Sequence, residues 1–407
     1  MDYSRITNPK FYSDDVGAHE LFSHMRQHSP RTYIDAKGFR PFWALSKNAD
    51  ILEIERQNEL FINGPRGVLA PEKSDEHMAA MAAQMKSLVS MDGEEHRTFR
   101  NLTKDWFLPA NLKTLEQEIK ALASTAIDEM LALGGECDFA RDVAAYYPLK
   151  VIMMILGVPD EDLPLMLKLT QELFGADDPD LQRKNNDSSD RMATMMEFFA
   201  YFTQMTEDRR AKPGNDLASV IANARIDGEL IGDVEAMGYY VIVATAGHDT
   251  TSSSTSGALL ALLQQPEQLQ KLLENPDLLP LAIDEAVRWV TPVKHFMRTA
   301  TEDYQLHDTL IKKGDDLMLL YASGNRDEAV FDAPFEFQVD RRPNKHVAFG
   351  YGVHRCLGNM LAKMEMQAFF EVLLDRVDDI QLIGDPSWIE STFVSGLKSL
   401  PISFKAK

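Results

Sequence analysis

The sequence predicts a mainly α-helical protein with a smaller β region, and three observations carry that expectation. Apolar residues recur at helical spacing in one stretch after another from about residue 111 to 263. Alternating, strand-like patterns are concentrated after residue 290. No linker divides the 407 residues, so one domain over 1–407 is expected, although length alone allows two or three.

Composition narrows the function classes. At 44% hydrophobic the chain can bury a large core, and a net charge of −21 argues against nucleic acid as a partner, because phosphate binding needs basic surface. The two cysteines, Cys137 and Cys356, make neither a disulfide framework nor a Cys-rich metal site. Cys137, in Gly-Gly-Glu-Cys-Asp, has no partner motif and reads as structural. The start, Met-Asp-Tyr-Ser-Arg-Ile-Thr, is neither a signal peptide nor a run of ~20 apolar residues, which predicts a soluble, cytoplasmic protein with no membrane partner.

Taken in order, a β-like stretch at Phe42-Trp43-Ala44-Leu45 precedes Asn48-Ala49-Asp50, which is expected to cap a helix running through Ile51, Ile54 and Glu55. Gly64, Pro65, Gly67 and Pro71 break the next region, and the methionines Met78, Met81 and Met85 read as core filler. Asp92-Gly93-Glu94-Glu95 has the form of a capping box and opens a helix that places His96 and Arg100, spaced i, i+4, on one face. Helices are expected over about 111–133, 139–156, 160–175, 188–212 and 216–224, with a mobile surface loop at 176–187.

The longest helical stretch, about 232–263, contains Ala246-Gly247-His248-Asp249-Thr250-Thr251. Gly247 costs a helix interior up to about 1 kcal/mol, and the two threonines add to the conflict. Such local conflict marks a functional site more often than an accident. Thr250 can bond back to its helix, Asp249 can relay protons, and His248 is turned off their face. Glu285 and Arg288 pair at i, i+3 on another helix, and the run from Pro292 to Arg298 reads as a strand.

The chain is organised around Phe349-Gly350-Tyr351-Gly352-Val353-His354-Arg355-Cys356-Leu357-Gly358, followed by a helical pattern from Asn359 to about 374. Gly350 and Gly352 suit a tight turn, and Gly358 is expected to let the helix start pack closely. Cys356 then precedes a helix N-terminus, whose dipole and free N–H groups stabilise a thiolate. A thiolate is a strongly electron-donating ligand for a haem iron.

This run resembles, at every fixed position, the haem-ligand loop of the cytochrome P450 monooxygenases, F-G-x-G-x-H-x-C-x-G. The stretches at His96–Arg100, Ala246–Thr251 and Glu285–Arg288 resemble the same family's H-x-x-x-R, A-G-x-D/E-T-T and E-x-x-R motifs. The resemblance implies the cytochrome P450 fold, a triangular prism-like helical haem domain. It implies haem b (iron protoporphyrin IX) ligated by Cys356, O2 as co-substrate, and insertion of one oxygen atom into an unactivated C–H bond of a small hydrophobic molecule. His96, Arg100, Arg298 and His354 are implied at the haem propionates. Phe349, Gly350, Ala246 and Gly247 are implied along the haem, the last two leaving a groove for a diatomic ligand above the iron.

Asp249 and Thr250 are the implied catalytic residues, and Ile242, Thr245, Val293, Phe296, Phe393 and Val394 the implied pocket lining. Thr392-Phe393-Val394-Ser395-Gly396 resembles the family's turn that dips into that pocket. Glu285 and Arg288 are implied to be locked by a third residue, Arg341, with Arg342 as its rival. No flavin- or nicotinamide-binding region is found, so an iron–sulfur ferredoxin and its reductase are the implied electron donors on the Cys356 side. Arg341, Arg342, Lys345, Arg355 and Lys363, in a segment without acidic residues, suit an acidic partner. Runs such as Ala-Thr-Ala-Gly-His-Asp-Thr-Thr-Ser-Ser-Ser look like the bacterial terpineol-hydroxylating branch, implying a monoterpenoid substrate. Alkyl-aromatics or a steroid-like molecule are the alternatives within the class, and a haem-thiolate gas or redox sensor the alternative outside it.

Overall fold

The computed structural model describes residues 1–85, 87–174, 178–180 and 188–407. Helix α1 (Asp15–His28) is started by Asp14, whose carboxylate accepts from the Gly17 N–H. Strands β1 (Arg31–Ile34) and β2 (Phe42–Leu45) follow, then α2 (Asn48–Arg56), β3 (Phe61–Ile62), α3 (Glu72–Met85) and α4 (Gly93–Thr103). Next come α5 (Pro109–Ala132), β4 (Glu136–Asp138), α6 (Tyr147–Leu156), α7 (Leu163–Phe174), α8 (Ser188–Ala211) and α9 (Leu217–Ala222). The hairpin of β5 (Arg225–Ile226) and β6 (Glu229–Leu230) leads into α10 (Asp233–Gln264), α11 (Pro266–Glu274) and α12 (Leu279–Val290). Then follow β7 (His295–Ala300), β8 (Tyr304–Leu306), β9 (Thr309–Ile311), β10 (Asp316–Leu320), the short α13 (Tyr321–Gly324) and α14 (Asn359–Arg376). The chain closes with β11 (Val377–Leu382), β12 (Ser387–Trp388), β13 (Leu397–Ser399) and β14 (Pro401–Ala406).

The principal sheet has the order β1-β2-β10-β7-β3, antiparallel except for the parallel β2–β10 pair. Three of its five strands therefore come from the first 62 residues, ahead of the region where strand patterns are densest. A second sheet, β11-β14-β4, places Cys137 opposite Ile402. Burial pushes the Cys137 thiol up to about 12, as befits a packing residue.

α10 is the axis of the helical part and packs against α6, α7, α8, α12 and α14. Its core positions include hydroxyl residues, which a buried helix accepts only when each hydroxyl finds an acceptor. Thr245, Thr250, Ser254, Thr255 and Ser256 each donate to the carbonyl four residues back, at 2.6 to 2.9 Å.

Several local expectations are corrected. Asn48 and Asp50 do not cap α2. The Asn48 N–H is satisfied instead by the Asp327 carboxylate at 3.0 Å, an acceptor 279 residues away. Asp92 does stand at the N-cap of α4, but its carboxylate accepts from Asn63 N and Gly64 N, both at 2.9 Å, so no capping box forms. The stretch expected as one helix over 139–156 is a π-helical turn at Ala140–Ala144 followed by α6, whose first turn holds Pro148, a residue without an N–H to donate. The side chains of Met78, Met81 and Met85 and most of the 176–187 loop lie outside the described residues. The described part of that loop is anchored: Asp178 is buried and accepts from Glu390 N at 3.0 Å and Lys398 Nζ at 3.2 Å.

Candidate active site

The Cys356 loop is built from backbone. Gly350 (φ 66°) and Gly352 (φ 67°) both adopt the left-handed conformation. A Cβ at Gly352 would also come within 2.7 Å of the Glu55 carbonyl oxygen, so this turn lies directly on α2. The loop closes through Gly350 N to Val347 O and Cys356 N to Phe349 O, both 2.8 Å, and the Cys356 carbonyl accepts from Asn359 Nδ2 at 2.7 Å. The Cys356 side stands next to the free N–H groups that open α14.

Protein surrounding Cys356 pushes its thiol pKa up, opposed by the Gly358 N–H and the Arg100 and Arg355 guanidiniums. The residue nevertheless keeps accessible surface. The thiol is therefore open to a group placed against it. Gly358 belongs to the same picture and corrects the packing expectation. Its φ is −84° and no protein atom lies within 4 Å of where a Cβ would stand, so this glycine leaves room beside Cys356.

Opposite features appear on α10. Between Val241 and Thr251, Ile242, Val243, Ala246, Gly247, Asp249 and Thr250 keep accessible surface, while Val241, Ala244, Thr245, His248 and Thr251 are buried. At about 3.6 residues per turn these positions fall on one side of the helix. Thr245 lies just off that side, 2% exposed and bonded to the Val241 carbonyl, so it backs the lining rather than forming it. His248 is turned away and fully used: Nδ1 meets Thr170 Oγ1 at 2.9 Å and Nε2 the Ala145 carbonyl at 2.7 Å.

Gly247 also answers to a packing constraint. A Cβ there would overlap Ile152 Cδ1, so the glycine is required by close packing of α10 on α6. Gly247→Ala should therefore destabilise the protein slightly. Overpacking costs about 1–3 kcal/mol and the helix-propensity gain returns about 1. An unfolding free energy lowered by about 1 kcal/mol, seen as a lower denaturant midpoint, is expected, and an unchanged or raised midpoint would show that Ile152 yields freely.

The residues expected at the propionates gather as cations and imidazoles. The His96 and His354 rings lie 4.0 Å apart, centroid to centroid, and His354 Nε2 is 3.7 Å from Asp92 Oδ1. Burial, then the neighbouring His354, brings His96 down to about 4, so it is neutral at pH 7; burial also lowers His354, against Asp92. Arg100 Nη2 donates to the Arg355 carbonyl at 2.6 Å. Arg298, from β7, is buried and donates to the Met297 carbonyl and to Glu55 Oε1.

The pocket residues meet across two segments. Val293 and Val394 form an isolated antiparallel bridge, and the Phe296 and Phe393 rings pack edge to face at 5.4 Å. Val394 is buried behind this corner and adds little open surface. The turn carrying Phe393 is held firmly: Lys294 N donates to Phe393 O and Ser395 N to Pro292 O, both at 2.8 Å. Lys294 Nζ, itself buried, donates to Ser391 O at 2.9 Å and also to Val394 O. Gly396 lies so close to α10 that a Cβ would overlap Ser253 Oγ.

Glu285 and Arg288 form a bidentate pair at 2.7 Å, and Arg341 Nε reaches both Glu285 oxygens at 3.0 Å. Arg341 occupies the third place, while Arg342 is exposed. This consumes one of the five basic residues of the 341–363 segment. Lys363 is a second loss, because it pairs with Asp284. Arg342, Lys345 and Arg355 remain exposed.

Among the described residues, two buried glutamates lie outside the motifs. Glu55 accepts from Arg298 Nη2 at 3.2 Å. Glu365, on α14, has an Oε2 without a partner among the described residues, and burial drives its pKa well above the usual carboxylate range. Its sequence signal is a Glu at i, i+4 between Leu361 and Phe369, on an apolar face.

An accessible thiol, four cationic or imidazole side chains near it and a run of accessible positions on α10 form a donor set that fits a haem. The family profile for cytochrome P450 matches residues 71–378. The chain belongs to the cytochrome P450 family. It is 43% identical to cytochrome P450-terp of Pseudomonas sp, the match covering 97% of this chain and 95% of that one. It is 34% identical to linalool 8-monooxygenase of Pseudomonas putida, over 99% of both chains. Among solved structures it is similar to CYP108D1 of Novosphingobium aromaticivorans DSM12444, with a TM-score of 0.90, 42% identity and 99% and 98% of the two chains covered. The cytochrome P450 fold is thereby established, and the protein is a haem-thiolate monooxygenase that uses haem iron and O2. No helix among the described residues is long and apolar enough to cross a membrane.

Proposed function

We propose that this cytochrome P450 hydroxylates an unactivated C–H bond of a small hydrophobic molecule of monoterpenoid size, such as terpineol. The observation that carries the reading is the aromatic corner of Phe296 and Phe393 beside Val293, a compact apolar wall held in place by backbone bonds. The names of two relatives, P450-terp and linalool 8-monooxygenase, support it. Cys356 would ligate the iron of haem b, with Phe349 and Gly350 on the side of the Cys356 loop and Ala246 and Gly247 on that of α10. His96, Arg100, Arg298 and His354 would hold the propionates: the two guanidiniums by charge-assisted hydrogen bonds, neutral His96 through a ring N–H. When bound, the haem supplies O2 activation and the oxidising power for C–H cleavage.

The remaining work belongs to side chains. Ile242, Phe296 and Phe393 exclude water and orient the substrate, with Thr245 and Val394 packed behind them. Asp249 is a suitable proton donor: its Oδ2 has no partner among the described residues, and burial, opposed by His248, raises its pKa toward the protonated form. Thr250 Oγ1 donates to the Ala246 carbonyl at 2.7 Å, which orients the hydroxyl beside Asp249. Exposed Arg342, Lys345 and Arg355 offer an iron–sulfur ferredoxin, reduced by its own reductase, a basic surface near Cys356.

An optical titration of the ferric protein with α-terpineol, p-cymene and a steroid tests the substrate class through conversion of the iron from low to high spin. Tight conversion by the terpene or the alkylbenzene is the expected result. A response to the steroid alone would sink the small-pocket reading.

A further inference from the structure

Glu55, on α2, is 4% exposed. Its Oε1 accepts from Tyr321 OH of α13 at 2.6 Å and from Arg298 Nη2 of β7 at 3.2 Å, while Oε2 has no hydrogen-bond partner among the described residues. The Cys356 loop touches the same group: a Cβ at Gly350 would stand 3.5 Å from Oε1, and the Tyr351 backbone N–H points at the carboxylate. One buried carboxylate thus joins α2, β7, α13 and the loop that carries Cys356. Arg298 is already matched by this carboxylate, so a haem propionate at Arg298 would face a second negative group across a single guanidinium.

We infer that Glu55 is a positioning residue that shares Arg298 with a haem propionate and takes up a proton when the iron takes up an electron. The inference rests on Arg298 being a propionate partner. In the coupled step one electron from an external donor enters the iron and one proton from solvent enters the Glu55 carboxyl, so the charge of the site is unchanged. Removing positive charge from the iron makes the ionised carboxylate costlier, which draws the proton in.

Burial, opposed by Arg298 and the Tyr321 hydroxyl, raises Glu55 to about 6, which puts the exchange near neutrality. The groups facing it are Arg298, Tyr321, whose phenol burial holds well above its usual range, and Tyr351, over whose ring Arg56 lies at 5.3 Å. Beyond Arg298 stand His354, Asp92, His96 and Arg100. Both imidazoles are lowered, His96 to about 4. The sign follows: ionised Glu55 favours the oxidised iron, so the reduction potential falls as pH rises through the Glu55 pKa.

The test is spectroelectrochemical reduction of the haem-loaded full chain between about pH 5 and 8. Wild type, Glu55→Gln and Tyr321→Phe are compared. Wild type should approach a tenfold change in the reduction equilibrium per pH unit, 59 mV for a one-electron couple, near the Glu55 pKa. Glu55→Gln, neutral throughout, should hold the high-potential limit and lose that slope. Tyr321→Phe removes a donor to the ionised form and should move the inflection to higher pH. Equal slopes in wild type and Glu55→Gln overturn the inference; if Glu55→Gln does not load haem, an unmoved inflection in Tyr321→Phe does so. A wild-type protein that loads haem without thiolate ligation fails the haem reading instead, and the two failures are separate.

Discussion

Replacing Cys356 by alanine is expected to abolish thiolate ligation entirely while leaving the fold stable. Both halves follow from where the side chain is. Cys356 keeps accessible surface, so truncating it opens no core cavity, and large cavity costs are confined to close-packed sites. The loop that presents it is closed by backbone bonds from Gly350 and Cys356, which alanine preserves. No substitute ligand of the same kind exists, because Cys137 is half-buried on β4 with its thiol pushed up to about 12. The reduced carbon monoxide adduct is the readout. A thiolate-type spectrum retained by Cys356→Ala would refute the assignment, and Cys137→Ala should leave the spectrum unchanged.

Glu285→Gln is expected to cost about 3–5 kcal/mol, the usual penalty for removing one partner of a buried ion pair. The site is more exacting than an ordinary pair, since one carboxylate balances two guanidiniums, Arg288 at 0% and Arg341 at 5% exposure. The two arginines also donate to the carbonyls of Asn325, Asp332, Ala333, Pro334 and Glu336, which fixes the course of the chain leading to the Cys356 loop. Neutralising Glu285 leaves both charges buried without a counter-ion. Against a total stability of about 5–15 kcal/mol such a loss is large. Thermal or denaturant unfolding should show it, together with reduced haem retention. Arg342→Ala, at the exposed neighbour, should be silent, and a large effect there would reverse the choice of Arg341.

What could be read from the sequence was whatever lies close in the chain. The Cys356 turn, the i, i+4 placement of His96 and Arg100 and the Glu285–Arg288 pair are local, and each depends on helix or turn geometry alone. What escaped depends on partners far away. α2 is capped from Asp327, Asp92 spends its carboxylate on Asn63 and Gly64, and Gly247 answers to Ile152 on another helix. Glu55 was legible only as one turn of a helix, because its partners Tyr321 and Arg298 lie 266 and 243 residues further on. Local pattern specifies which way a side chain leaves its own element, but not what it meets.

The turn from Ser391 to Gly396 has a consequence for anyone reshaping this pocket by laboratory evolution. Its backbone is tied to the segment just before β7 by two backbone hydrogen bonds and by the Lys294 ammonium, and Gly396 rests on α10. Trimming Phe393 should therefore add volume at a fixed address, with the mould itself unmoved. Lys294→Met, which cuts the ammonium's bonds to Ser391 and Val394, should instead loosen the mould and trade selectivity for breadth.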